Sequence, residues 1–264
     1  ADYLCYILAI EELSKTCATS GVVLSAHTSL GTWPIAQFGT EEQKQRFLTD
    51  LCTGKKLAAF GLTEPNAGTD AAGQQTTAVL DGDEYVINGT KIFITNAGEA
   101  DVYVIFAMTD KTKGTRGISA FILEKGTPGF TFGLHEKKLG IRGSATCELI
   151  FNNVRIPKEN LLGKEGMGFK IAMQTLDGGR IGIAAQALGL AEGALQATID
   201  YVKERKQFGR SIAQFQNTQF QLADMATKVE AAKMLVYRAA MAKATQKVYS
   251  VEAAMAKLYA AEVA

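Results

Sequence analysis

The chain has 264 residues, with 28 Lys+Arg against 27 Asp+Glu and a formal net charge of +1. Apolar residues make up 47% and charged residues 21%, the ordinary mixture of a globular protein. That balance excludes a strongly basic nucleic-acid binder and an acidic disordered tail, and no run of about 18 apolar residues offers a membrane span.

The length suggests roughly two domains and is enough to bury a core without disulfide staples. Cys5, Cys17, Cys52 and Cys147 form no CxxC unit, and only His27 and His135 stand beside them, which argues against a zinc site. The four cysteines read as buried, reduced thiols of a cytoplasmic protein. The chain begins without Met or a basic leader and stops inside a helical pattern, so both ends read as cuts in a longer protein.

Residues 1–56 read as a helical domain. Leu4, Ile7, Leu8 and Glu11–Leu13 follow helical spacing, with Gly21, Gly31 and Pro34 as punctuation. Thr40 followed by Gln43 is a capping box: the hydroxyl takes an orphan N–H, and the amide reaches back. A helix over 41–51 follows.

Residues 57–160 change period. Asp81-Gly82-Asp83 and Asn88-Gly89 read as two hairpin turns bracketing a short strand, Glu84–Ile87. Lys91–Thr95, Val102–Met108, Ile118–Leu123 and Cys147–Phe151 are further strand candidates. Short strands at this spacing predict an antiparallel β-barrel or sandwich. Residues 161–264 return to helix. Leu222, Met225, Val229, Ala232, Val236 and Ala239 step by three and four, the seam of a helical bundle. A helix over about 169–205 would be roughly 55 Å long. The predicted fold is α+β and multidomain: an N-terminal helical domain, a middle antiparallel β-barrel and a truncated C-terminal helical bundle.

No Ser–His–Asp arrangement, GxGxxG after a strand or GxxxxGK[ST] loop is present. His135 lies among charges and reads as solvated, and His27 as a satisfied histidine. Gly163–Gly168 reads as a linker. Three segments carry denser chemistry. Phe60–Asp70 combines Pro65, Gly68, Thr63, Thr69 and Asp70, which suit either an anion-binding nest or an ordinary domain-entry loop. Lys91–Gly98 presents a ring and a hydroxyl at a strand end. Glu204–Arg210 offers an arginine fork for a phosphate, or else a solvated helix end.

Taken in order, FGLTEPNAGTD (Phe60–Asp70), NGTKIFITNAGEAD (Asn88–Asp101), KLGIRGSATCELIFNNVRIPKENLLG (Lys138–Gly163), LDGGRIGIAAQALG (Leu176–Gly189) and ERKQFGRSIAQFQ (Glu204–Gln216) resemble the acyl-CoA dehydrogenase family along essentially the whole chain. They are most similar to its short-chain, butyryl-CoA type. The resemblance implies a FAD-dependent homotetramer. It implies α,β-dehydrogenation of an acyl-CoA thioester, with electrons passed to an electron-transferring flavoprotein. It places Phe60, Leu62, Thr63, Thr69, Phe93, Ile94 and Thr95 at the flavin, and Arg205, Phe208 and Gln216 at the FAD of a neighbouring subunit. Many relatives carry Trp where Phe93 stands. Thr69, Ser144, Asp177 and Arg180 match acyl-CoA contacts. The carboxylate base of similar proteins has no counterpart here, because the alternative position just before Arg180 is Gly179. Asp177 and Glu204 are poor substitutes, so no catalytic base is assigned. The competing readings are a flavin- or acyl-CoA-binding module without catalysis, an acyl-CoA oxidase, and a structural helical scaffold. No nucleic-acid, membrane or metal role is expected.

Overall fold

The computed structural model describes residues 2–264. Helices α1 (Tyr3–Thr16), α2 (Ala18–Ser25), α3 (Trp33–Phe38) and α4 (Glu41–Cys52) come first, with a π-helical stretch, Ala26–Thr32, before α3. Eight strands follow: β1 (Ala58–Gly61), β2 (Thr77–Asp81), β3 (Glu84–Thr95), β4 (Val102–Met108), β5 (Ile118–Glu124), β6 (Phe130–His135), β7 (Thr146–Pro157) and β8 (Leu161–Leu162). Helix α5 (Gly168–Glu204), the small hairpin β9 (Lys206–Gln207) and β10 (Arg210–Ser211), α6 (Gln216–Thr245) and α7 (Ser250–Val263) complete the chain. The predicted order of helical, β and helical domains is therefore present. The contacts divide it into two compact units, one with residues up to Ser25 plus Asp177–Ala264, the other Ala26–Leu176.

The first unit is a helical assembly. Its core joins Ile7 and Ile10 of α1, Ile181, Ala184 and Leu188 of α5, Val229, Ala232, Val236 and Ala239 of α6, and three alanines of α7. Small residues let these helices approach closely. A side chain at Gly189 would lie 2.3 Å from the Glu11 carbonyl oxygen. The predicted seam is buried only from Val229 onward. Met225, one turn earlier, is 37% exposed, because the helices that cover α6 begin to meet it at Val229. Gly21 lies inside α2 and ends nothing; its lack of a side chain makes room for the Ser14 hydroxyl.

The second unit is built on the sheet. Strands run in the order β6-β7-β3-β2-β4-β5-β8, with β1 also on β4. The expected barrel is corrected here: the sheet is open, with β6 and β8 as its two ends. It is also mixed, because β1 and β2 both pair with β4 in parallel. A parallel neighbour requires a long crossover, and the 62–76 loop with the β2–β3 hairpin supplies one. Every residue of β4 is buried. Tyr103, Ile105 and Ala107 face one apolar cluster; Val102, Val104, Phe106 and Met108 face the other, with Ile35, Phe47 and Ile171. The capping box forms as predicted, with Thr40 and Gln43 bonded reciprocally at 3.0 and 3.2 Å.

Asn88-Gly89 does not turn. β3 runs through it with a register shift between Ile87 and Gly89. Gly89 has φ +146°, and a Cβ there would lie 2.7 Å from the Thr76 Cα, so the glycine serves a close backbone approach. The thiol expectation is also corrected. All four cysteines are free, but only Cys147 is buried, beside the exposed His135, whose Nδ1 lies 3.1 Å from its sulfur. His27 is satisfied at both ring nitrogens. Ala58 N–H donates to Nδ1 at 3.0 Å, which leaves the proton on Nε2 to reach the Leu51 carbonyl at 3.1 Å. Burial pushes His27 below its ordinary value. The unfolded chain therefore binds the proton first as pH falls. The stability tied to neutral His27 is present above about pH 6.5 and lost as pH drops toward the depressed folded value. Urea-unfolding midpoints from pH 7 to 5 are expected to fall less steeply for His27→Asn than for the wild type. Parallel slopes would refute this.

Candidate active site

In the sheet unit, β1 delivers the chain into the loop from Leu62 to Thr76. Leu62 is buried, Thr63 half-buried and Thr69 exposed. The Thr63 carbonyl accepts the Ile92 N–H at 2.9 Å, which lays this loop along β3. Glu64 and Ala67 exchange both backbone hydrogen bonds, each 3.1 Å. Those two N–H groups are consequently withdrawn from the suggested anion nest. Phe60 packs its ring 5.0 Å from that of Phe106 and belongs largely to the core.

Phe93 sits at a break in register between Lys91 and Ile94, with φ +58° and 59% of its surface exposed. An aromatic residue in the left-handed region is strained, and such strain concentrates where a ligand is held. Ile94 turns inward, and Thr95 is half-buried. Asn96 N–H donates to the Ala145 carbonyl at 2.9 Å, which brings Ser144 beside this strand end. The Ser144 hydroxyl is buried and has no hydrogen-bond partner among the described residues. The structure thus gathers Leu62, Thr63, Phe93, Thr95 and Ser144, whereas Thr69 stands at the outer part of its loop.

Sequence reasoning missed the most ordered feature here. Lys91 is fully buried, and its ammonium donates to the Leu62 carbonyl at 3.1 Å, Glu64 Oε1 at 2.7 Å and Gln74 Oε1 at 2.8 Å. Burial pushes Lys91 down to about 8, against the pull of Glu64. Burial pushes Glu64 up, but the Lys91 ammonium and the donors of Thr76 and Gln75 outweigh it and hold the carboxyl below its usual range. A lysine in a strand reads as solvated unless its partner is known, and Glu64 is 27 positions away.

In the helical unit, Asp177 and Arg180 pair one turn apart on α5, and Ser250 donates to the other Asp177 oxygen. Gly178 makes room for Lys243, whose Nζ would lie 2.4 Å from a Cβ there and is 4.1 Å from the Tyr3 ring. Burial lowers Lys243 to about 8, and burial with the nearby Asp177 charge raises Tyr249 to about 12. Gly179 is buried and carries no side chain. Glu204 is exposed at the end of α5.

Arg205, Phe208 and Gln216 share the α5–α6 connection. The Arg205 guanidinium is exposed and forms no ion pair among the described residues. Phe208 and Gly209, with φ of +52° and +75°, make the two-residue turn between β9 and β10. This is the pattern of a type I′ turn, where Asn-Gly is preferred. Phe208 departs from that preference with 91% of its surface exposed. Phe208→Asn is expected to leave the melting temperature unchanged or higher while weakening cofactor retention several-fold, read by equilibrium dialysis. Loss of both would mean that the ring acts in folding.

The chain matches the acyl-CoA dehydrogenase N-terminal domain over residues 1–55, the middle domain over 59–154 and the C-terminal domain over 166–264. A short-chain-specific acyl-CoA dehydrogenase of Clostridium acetobutylicum is 63% identical over 263 residues, covering 100% of this chain and 69% of that protein. The solved butyryl-CoA dehydrogenase of Megasphaera elsdenii is 59% identical with a TM-score of 0.98, over 100% of this chain and 69% of that one. A chain from structural work on the electron transferring flavoprotein of Acidaminococcus fermentans and flavin-based electron bifurcation is 65% identical with a TM-score of 0.99, over 100% and 70%. Domain order and similarity along the whole of this chain converge, and the chain belongs to the acyl-CoA dehydrogenase family.

Proposed function

We propose that the protein carries out FAD-dependent α,β-dehydrogenation of a short-chain, butyryl-CoA-like thioester to the trans-2-enoyl-CoA, and passes the electrons to an electron-transferring flavoprotein. A cytoplasmic homotetramer with domains 1–56, 57–160 and 161–264 belongs to the same proposal. The carrying observation is likeness along the whole of this chain to short-chain and butyryl-CoA dehydrogenases. Among the described residues no helix is long and apolar enough to cross a membrane, and none form a metal cluster.

The residues fit a planar, phosphate-bearing cofactor. Phe93 and Phe208 display rings from strained backbone, and among the described residues the buried Ser144 hydroxyl has no hydrogen-bond partner and the exposed Arg205 forms no ion pair. FAD, when bound, supplies the acceptor for the β-hydrogen as hydride. Leu62, Thr63 and Thr95 would line its ring beside Phe93, with Ile94 turned inward behind them and Phe60 packed on Phe106 of β4. Thr69 and Ser144 would hold acyl-CoA through their hydroxyls. Asp177 and Arg180, paired one turn apart on α5, are the acyl-CoA contacts proposed in the helical unit. Arg205, Phe208 and Gln216 would complete the FAD site of a neighbouring subunit.

No described residue is positioned as the base. Asp177 has both oxygens engaged, Gly179 has nothing to offer, and Glu204 is solvated. A flavin- or acyl-CoA-binding module without catalysis is the second reading. Anaerobic addition of butyryl-CoA decides between them. Bleaching of the flavin bands without H₂O₂ formation supports the dehydrogenase. Persistent bands with bound ligand support the module, and H₂O₂ in air would indicate an oxidase.

A further inference from the structure

Lys91 occupies a place that its chemistry does not favour. Its side chain leaves β3 two residues before the exposed Phe93 and ends at 0% exposure. An ammonium has three N–H donors, and all three are used within the sheet unit: on the Leu62 carbonyl, Glu64 and Gln74. Glu64 passes the connection on. Its second oxygen accepts the Gln75 N–H at 2.6 Å, and both oxygens share the Thr76 N–H at 3.1 and 3.3 Å. One cation and one anion therefore tie both ends of the 62–76 loop to a single strand position. Gly89 supplies a second anchor, since only a missing side chain lets β3 approach Thr76 so closely.

Stability alone does not account for such a pair. Desolvating two charges offsets most of their attraction, and an apolar pair of similar volume is often as stable. Apolar replacements, however, carry no directional bonds and leave the loop free to slide along the strand. The loop contributes Leu62 and Thr63, and the strand contributes Phe93, Ile94 and Thr95. Among the described residues, only the Thr63–Ile92 backbone bond otherwise links these two runs at that point.

We propose that Lys91 is a positioning residue: through Glu64 and Gln74 it locks the 62–76 loop onto β3 and sets the register of the two segments that line the flavin. It touches neither substrate nor cofactor. The inference rests on the FAD reading above.

The test compares wild type, Lys91→Met, Glu64→Gln and the Lys91→Met/Glu64→Gln double variant. Each is assayed for apoprotein melting temperature, FAD affinity, flavin absorption spectrum and hydrogen exchange over 62–76. The double variant removes both charges, while the introduced amide oxygen can still accept a backbone N–H. Its melting temperature is expected to return close to wild type. Its FAD affinity is expected to stay roughly ten-fold or more weaker, since small misplacements of a site are costly. Faster exchange over 62–76 and an altered flavin band should accompany that loss. FAD affinity recovering together with melting temperature would overturn the positioning role and leave Lys91 as a structural residue. A wild-type protein that binds no FAD would overturn the functional reading and the inference with it. Wild type that binds FAD beside a double variant that binds it equally would overturn the inference alone.

Discussion

Replacing Lys91 by Met is expected to destabilise the protein by about 3–5 kcal/mol, the cost of removing one partner from a buried ion pair. The methionine is close in length, so lost volume is a minor contribution. The cost arises from what remains. Glu64 is 4% exposed and would keep its charge with no cation in reach, supported only by the N–H groups of Gln75 and Thr76. The Gln74 and Leu62 oxygens would also lose the donor they share. Protonation of Glu64 can relieve part of this, so the deficit should shrink as pH is lowered through the carboxylate range. Glu64→Gln is expected to cost less, because lysine can release its proton more readily than a buried carboxylate can go unpaired, and burial already lowers Lys91 to about 8. Urea titrations of the three forms give the comparison. A loss below about 1 kcal/mol for Lys91→Met would mean that water reaches the site and that the pair behaves like a surface one.

The parts of the fold that are legible in the sequence are those with local causes. Thr40 and Gln43 bond within one turn, so their capping box follows from spacing. Val102–Met108 is so rich in β-branched and aromatic side chains that its strand is recognisable at both ends. The run from Gly168 to Glu204 needs only helical periodicity. What the sequence misrepresents depends on partners distant along the chain. Asn88-Gly89 carries turn chemistry, yet Gly89 is there because Thr76, at the end of the 62–76 loop, approaches closely. β1, only Ala58–Gly61, has no pattern of its own, and its parallel pairing with β4 makes the sheet mixed. In the candidate site, the hydroxyl and aromatic positions follow from resemblance. Their strain is not visible in the sequence, because φ at Phe93 and Phe208 follows from a register shift and a tight turn. Lys91 escapes notice for the same reason as Gly89: its meaning lies in residues 62, 64 and 74.

Replacing Arg205 by Ala is expected to weaken FAD retention by about 1.5–3 kcal/mol, roughly ten- to hundred-fold, as the loss of a charge-assisted bidentate contact requires. Arg205 follows α5, where its N–H closes the helix on the Tyr201 carbonyl at 2.9 Å and its own carbonyl accepts the Ile212 N–H at 2.9 Å. The backbone is therefore fixed by bonds that an alanine keeps. The guanidinium adds no ion pair among the described residues, so its removal should leave the folded protein nearly as stable as before. A cation with no ion pair among the described residues, on a fixed backbone three positions before the strained, exposed Phe208, fits the proposed FAD contact. Arg205→Lys separates charge from geometry: it keeps the charge but cannot fork onto two oxygens, so partial recovery of FAD affinity is expected. Dialysis against FAD, with melting temperature measured alongside, reads both quantities. Unchanged affinity in Arg205→Ala would remove this residue from the cofactor site. A fall in melting temperature matching the loss of FAD would instead assign Arg205 to the folding of the α5–α6 connection.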